Sequence, residues 1–288
     1  MTEQEKEDKK EEIRMYMQLL EQECYIDSNK EVDYPPLALS VGTHTVSTRE
    51  GKKEYPIRLG TLGNFSFISA PPKSKKTFFT SLLSAVYLKG ELNGIGGDLR
   101  GHRDGKCLVH FDTEQGVWDC VRTFKRVRQM TGLNEDCYHT YGLRSLSYQE
   151  RIEFIEYILF DKMGGENIGL VIIDGAADLV SEVNNLPESN LVSQKLMTWS
   201  KRLNCHITTV MHSNFGSFKA TGHLGSILTK KCETEIQLEL NTVNTDLVTV
   251  ICKESRGVNF DNFSFKVNDY GIPVVQGDFY DILKPNTF

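Results

Sequence analysis

From residue 65 onward, short apolar runs alternate with longer segments whose apolar positions recur every three or four residues. The runs at residues 65–69, 106–111, 169–173 and 205–212 carry Val, Ile, Leu or Phe and the run at 137–141 carries Cys and Tyr, which predicts the strands of a buried sheet. Between them, residues 77–89, 117–130, 148–163 and 187–203 carry helical periodicity. In the last of these, Val192, Leu196, Trp199 and Leu203 fall along one face. The alternation predicts an α/β fold, a mainly parallel sheet flanked by helices that binds its ligand at the carboxyl ends of the strands.

Both flanks break this rhythm. Residues 1–12 (MTEQEKEDKKEE) are almost wholly charged and predict a frayed tail, followed by Ile13, Met17, Leu20 and Cys24 at helical spacing. Tyr34-Pro35-Pro36 separates that amphipathic helix from the rest of the chain, so it reads as an arm able to dock on a neighbouring subunit. Residues 37–62 alternate and turn at Arg49-Glu50-Gly51-Lys52, which predicts a β-hairpin leading into the core sheet. Two domains are therefore expected, 1–36 and 37–288. Beyond His212, residues 213–231 read as a Gly/Ser/Lys-containing connecting segment. The β-like runs at 235–241, 246–253 and 263–267 then predict an antiparallel C-terminal extension. Between the last two runs, Lys253-Glu254-Ser255-Arg256-Gly257 forms a turn with two cations.

Composition narrows the classes. With 288 residues and 39% hydrophobic content the chain can bury a full core, and a net charge of −6 argues against a uniformly basic nucleic-acid coat. The seven cysteines are scattered, with no C-x-x-C pair, as expected of reduced buried thiols in a cytoplasmic protein. No apolar run approaches transmembrane length, and no signal peptide opens the chain.

The candidate chemistry lies at the ends of the predicted strands. In NFSFISAPPKSKKTFFTSLLSAVYLK, from Asn64 to Lys89, a strand leads through a Pro/Lys/Ser loop into a helix. That is the layout of a phosphate-binding P-loop, Ala70, Pro71, Pro72, Lys73, Ser74, Lys75, Lys76, Thr77 and Phe78. In such a loop backbone N–H groups surround the phosphates, a lysine (here Lys76) reaches the β and γ oxygens, and a hydroxyl (here Thr77) holds Mg²⁺. Ala70 and Lys75 stand where G-x-x-x-x-G-K-[ST] has its glycines. A lysine forced into a left-handed conformation costs roughly 1 kcal/mol or more. The run at residues 168–174 ends in Asp174, as a Walker B strand does, and the run at 106–111 ends in Asp112-Thr113-Glu114-Gln115, where a carboxylate can polarise an attacking water. Asp112 reads equally well as a cap of the following helix, and His206, His223 and the G-I-G-G stretch at 94–97 read as structural.

The order of these motifs (P-loop, strand ending in D-T-E, Walker B strand, strand ending in His, Gly-containing loop, hairpin with Lys and Arg) resembles the RecA-like hexameric ATPases. It is most similar to the RepA-type, DnaB-like ATPases of bacterial plasmids and mobile elements. The resemblance covers roughly residues 60–270. It implies ATP and Mg²⁺ as cofactors, with Lys76 and Thr77 at the phosphates, Glu114 activating water and Asp174 at the metal. It further implies His212 as a sensor of the γ-phosphate, Arg122 stacked on adenine, and Lys253 and Arg256 acting in a neighbouring subunit's site. By the same resemblance the chain forms a homo-oligomeric ring, and Lys219, Lys230 and Lys231 contact single-stranded DNA. A primase or another replication or mobilisation protein is a further implied partner. The competing expectations are a nucleotide-binding scaffold or accessory factor that does not turn ATP over, and a small-molecule kinase, disfavoured by the lack of a lid or acceptor motif.

Overall fold

The computed structural model describes residues 2–49, 51–132, 136–164, 167–213, 220–241 and 244–276. Contacts divide the chain into two compact units, Met1–Pro35 and Pro36–Phe288. The first holds helix α1 (Glu3–Cys24). The charged run predicted to fray is helical from Glu3 because its start is capped reciprocally. Thr2 N donates to the Glu5 carboxylate at 2.6 Å and Glu5 N donates to Thr2 Oγ1 at 3.3 Å. Side-chain pairs one turn apart, Lys10 to Glu7 and Gln4 to Asp8, add to it.

In the second unit the chain runs through β1 (Leu37–Thr48), β2 (Gly51–Thr61), β3 (Phe65–Ala70), α2 (Lys76–Lys89), β4 (Leu99–Gly101), β5 (Cys107–Asp112), α3 (Val117–Thr131) and β6 (Tyr138–Gly142). It continues through α4 (Tyr148–Glu156), β7 (Ile168–Asp174), α5 (Leu186–Leu203), β8 (His206–His212) and α6 (Gly222–Lys231). Strands β9 (Thr234–Leu240), β10 (Leu247–Ser255), β11 (Phe263–Val267) and β12 (Pro273–Gln276) complete it. Among the described residues the main sheet has the order β12-β11-β10-β9-β3-β8-β7-β5-β6. Strands β9, β3, β8, β7, β5 and β6 are parallel, and β10 to β12 extend the sheet antiparallel. Side chains alternate across this sheet and so form two cores. One packs Ile68, Leu108, Leu170 and Val210 against α2 and α3, and the other packs Phe67, Phe111, Val171 and Ile207 against α4, α5 and α6. Since β3, β5, β7 and β8 run the same way, their carboxyl ends share one edge.

Four local expectations change. The hairpin does not join the core sheet: β1 pairs with β2 and β4 in a separate three-stranded sheet, and Ala38, Leu39, Ile57 and Leu59 bury themselves in the core on the α2 side. The connecting segment after His212 contains a helix, α6, because Leu224 and Leu228, one turn apart, are buried on the α5 side of the sheet. The helix predicted at 148–163 keeps α geometry to Glu156 and then widens into a π-helical turn, Tyr157–Lys162. Strands β4 and β12 are too short to register as periodic runs.

Candidate active site

Strand β3 delivers Ala70 to the carboxyl edge fully buried, and the chain turns through residues 71–75 into α2. Lys75, the position expected to resist this turn, adopts it all the same with φ 60°, and Lys73 is left-handed as well with φ 62°. Ser74 is buried and closes the loop by donating its hydroxyl to the Pro71 carbonyl at 2.6 Å. Lys75 is the N-cap of α2, so the free N–H groups of the helix start beside the loop. Lys76 opens the helix and folds back inward. Its Nζ donates to the Pro71 carbonyl at 3.3 Å and to His212 Nδ1 at 3.0 Å. Burial pulls the Lys76 pKa below its ordinary value, against the opposing charges of Glu114 and Asp174.

His212, at the end of β8, joins the lysine to the β5 carboxylate. An ammonium only donates, so Nδ1 accepts from Lys76. The ring proton is therefore on Nε2, which donates to Glu114 Oε1 at 3.1 Å. That hydrogen bond is the main reason the Glu114 carboxyl lies below its usual pKa, with the Lys76 charge adding to it and burial opposing. Asp112 is buried and holds the turn that presents Glu114: its Oδ1 accepts from Glu114 N at 3.1 Å and Gln115 N at 2.8 Å, and its Oδ2 accepts from Gln115 Nε2 at 2.7 Å. Burial, then the charges of Asp112 and Glu114, push Asp174 up to about 7 at the end of β7. Thr113 braces the same edge. Its Oγ1 donates to Asp178 Oδ2 at 2.7 Å and accepts from Gly175 N at 2.7 Å.

Lys76, Glu114 and His212 open onto a cavity of about 410 Å³ that Lys73, Lys75 and Thr77 also line, with α3 on the other side, while Asp112, Thr113 and Asp174 are buried. A model of the AAA domain family matches residues 40–217, more than half of the 288-residue chain. The chain belongs to the AAA domain family. That is a P-loop ATPase family related to the RecA- and DnaB-type ATPases, so the domain is that of a nucleotide-binding ATPase. No curated protein matches the chain.

The AAA domain match covers the P-loop, Glu114, Asp174 and His212 together. The residues present also fit Mg²⁺, which P-loop ATPases generally use. Among the described residues no three His, Cys, Asp or Glu side chains converge into a closed metal site. Mg²⁺ bound with a nucleotide needs no such cage, because phosphate and water supply most of its oxygens. Asp174, buried among like charges, and the Thr77 hydroxyl at the second position of α2 would be its protein partners.

On the α3 side, Arg122 stands over the Trp118 ring at 4.5 Å and lines the cavity. Its neighbour one turn on, Arg126, was missed in the sequence although it shares the same helical face. The Arg126 guanidinium lies 4.0 Å above the Phe78 ring, and it donates to the Gly271 carbonyl and Ser81 Oγ. Burial lowers its pKa to about 10. Thr80, one turn after Thr77, was also missed and donates to Asp174 Oδ2 at 3.5 Å.

Two predicted groups lie apart from this cavity. Lys253 donates to Glu235 Oε1 at 2.8 Å inside its own subunit, where Glu235 is fully buried and also accepts from Ser69 Oγ and Thr229 Oγ1. Arg256 follows β10, which runs antiparallel to β9 and so ends at the opposite edge of the sheet. Its guanidinium donates to the Lys231 carbonyl at 2.9 Å at the end of α6. Lys230 and Lys231 close α6, and Lys219 lies outside the described residues. A larger cavity, of about 800 Å³, opens at that opposite edge among Lys89, His102, Arg103 and Lys106. It has none of the phosphate-loop geometry.

Proposed function

We propose that the chain is an ATP-driven RecA-like motor of the RepA type, a ring of identical subunits that moves on single-stranded DNA in the replication or mobilisation of a mobile element. The observation that carries this reading is the position of His212. Its ring bonds Lys76 and Glu114, while its carbonyl accepts from Thr221 N at 3.1 Å and Thr221 Oγ1 at 2.9 Å, at the start of α6. A nucleotide that draws Lys76 onto its phosphates removes one of the two ring contacts. The change is then felt at α6, whose end carries Lys230 and Lys231. A few lysines per subunit, repeated around a ring, can hold a DNA backbone despite an acidic total.

In hydrolysis Lys76 neutralises charge on the β and γ oxygens, and the free N–H groups of the loop and of α2 surround the phosphates. Glu114 takes a proton from the attacking water as the oxygen bonds the γ-phosphorus and the bond to the bridging oxygen breaks. Held below its usual pKa, Glu114 is ionised and ready for that role at neutral pH. Bound Mg²⁺ supplies further neutralisation of the phosphate charge. Lys73 and Lys75 in left-handed backbone favour a second reading, a scaffold that binds nucleotide without turnover. The test is ATP hydrolysis with and without single-stranded DNA, alongside the size of the assembly. DNA-stimulated hydrolysis by a ring supports the motor. Binding without turnover supports the scaffold, and neither binding nor hydrolysis overturns both.

A further inference from the structure

Lys75 occupies the position where this loop type has glycine, and although it lines the nucleotide cavity its ammonium is bonded to a residue outside that lining. Its Nζ donates to the Asp246 carbonyl at 3.0 Å and pairs with the Asp246 carboxylate at 3.6 Å. Asp246 belongs to the turn between β9 and β10, on the antiparallel side of the sheet. That turn is itself braced: Asp246 N donates to Asn244 Oδ1 at 3.2 Å and Leu247 N to the Asn244 carbonyl at 3.0 Å. The Lys75 side chain is 21% exposed, well shielded for a lysine, whereas the Asp246 side chain is 82% exposed.

The backbone of Lys75 gives this contact its importance. Its carbonyl accepts from Phe78 N at 3.0 Å and Phe79 N at 3.2 Å, so it fixes the first turn of α2. The left-handed turn at Lys75 thereby sets where the unpaired N–H groups of Lys76 and Thr77 point, and those are the groups a phosphate meets. A glycine holds φ near 60° without steric cost, and a lysine does not. Something outside the loop must therefore hold it, and the contact to Asp246 is placed to do so.

We propose that Lys75 is a clasp rather than a phosphate ligand, and that Asp246 is a positioning residue for the nucleotide site, acting through Lys75. The inference rests on residues 70–77 being the phosphate loop. Losing the clasp leaves a strained residue free to relax and misdirects the N–H groups, whereas glycine in its place removes the need for it.

The experiment titrates the full chain with a fluorescent ATP analogue and Mg²⁺, comparing the parent with Lys75→Met, Lys75→Gly, Asp246→Ala and the double variant Lys75→Gly/Asp246→Ala. Lys76→Ala runs in parallel, and thermal melting confirms that each variant is folded. Lys75→Met is expected to weaken binding about threefold to tenfold, the range of a part-exposed ion pair with one charged hydrogen bond. Lys75→Gly is expected to bind more tightly than Lys75→Met. Asp246→Ala removes the carboxylate but keeps the carbonyl that accepts the 3.0 Å bond, so it should weaken binding in the parent by less than Lys75→Met and make no further difference in the glycine background, a non-additivity that an independent structural role lacks. Where ATP is turned over, the loss shows in KM rather than kcat. If Lys75→Gly binds as weakly as Lys75→Met, the ammonium itself touches phosphate and the clasp is wrong. It is equally wrong if Asp246→Ala weakens binding alike in both backgrounds, and an effect in neither overturns the positioning role of the Asp246 side chain. Unchanged affinity in Lys76→Ala would instead overturn the phosphate-loop reading beneath it.

Discussion

Replacing Lys253 with methionine separates a role within the subunit from a role in a neighbour's site. The Lys253 ammonium lies 2.8 Å from Glu235 Oε1, and Glu235 has no exposed surface. Removing one partner of a buried pair typically costs about 3–5 kcal/mol, because the other charge stays buried without compensation. Here Ser69 Oγ at 2.9 Å and Thr229 Oγ1 at 2.8 Å still donate to the carboxylate, and the Lys253 side chain is 27% exposed. Both reduce the loss, to roughly 2–3 kcal/mol. At about 2 °C per kcal/mol for a chain of this size, the melting midpoint should fall by about 5 °C. A second change, Glu235→Gln, removes the orphaned charge and should return at least half of that loss in the double variant. The assay is denaturant and thermal unfolding of the parent, the two single variants and the double variant. An unchanged midpoint for Lys253→Met, combined with lost ATP hydrolysis by the assembled protein, would show that Lys253 acts on a neighbouring subunit and that its bond to Glu235 carries no weight.

Glu114→Gln should preserve nucleotide affinity and stop hydrolysis, since it removes a base but leaves the loop intact; hydrolysis at the parental rate would place the base elsewhere, with Asp112 next in line. Arg256→Ala should bind ATP but lose hydrolysis, and mixing it with Glu114→Gln under subunit exchange should restore part of the rate, because some interfaces then pair one intact Glu114 with one intact Arg256. No recovery in confirmed mixed rings would assign Arg256 to its own subunit, consistent with its bond to the Lys231 carbonyl. His212→Ala removes the largest cause that lowers the Glu114 pKa, so the Glu114 carboxyl should titrate at higher pH in that variant, read by carbon NMR of the side chain. Because the Glu114 pKa is depressed in the fold, the stability it lends is present above its unfolded-state pKa and is lost as pH falls through the folded value. The variant should therefore also lose part of that acid-sensitive stability.

The parallel core was legible because its central strands β3, β5, β7 and β8 are short runs rich in apolar residues and buried on both faces, and the helices between them keep apolar positions at helical spacing. Residues at the strand ends were legible for the same reason: once β3, β5, β7 and β8 are parallel, Lys76, Glu114, Asp174 and His212 must share an edge. What the sequence hid depends on contacts between distant segments. Whether Lys75 tolerates φ 60° is settled by Asp246, 171 residues away. The hairpin looked like an entry to the core sheet because alternation records that one face is buried, and says nothing of whether a sheet or α2 covers it. Helix α6 was masked by Gly222 and Gly225, which lower helix propensity, although Leu224 and Leu228 sit one turn apart. Arg126 gave no signal beyond its spacing from Arg122, since its value comes from Phe78 and Gly271, which the fold brings to it.

The central claim is that residues 70–77 hold the phosphates of ATP although both usual glycines are replaced. Calorimetric titration of the parent and of Lys76→Ala with ATP and Mg²⁺ tests it most directly, since no other side chain of the loop turns into the cavity with its ammonium bonded to both Pro71 and His212. Saturable binding is expected of the parent, with a loss of about a hundredfold or more in the variant, the size expected when a charged hydrogen-bonding partner of phosphate is removed from a part-buried site. Equal affinity in the two proteins, or no binding by a folded parent, would contradict it.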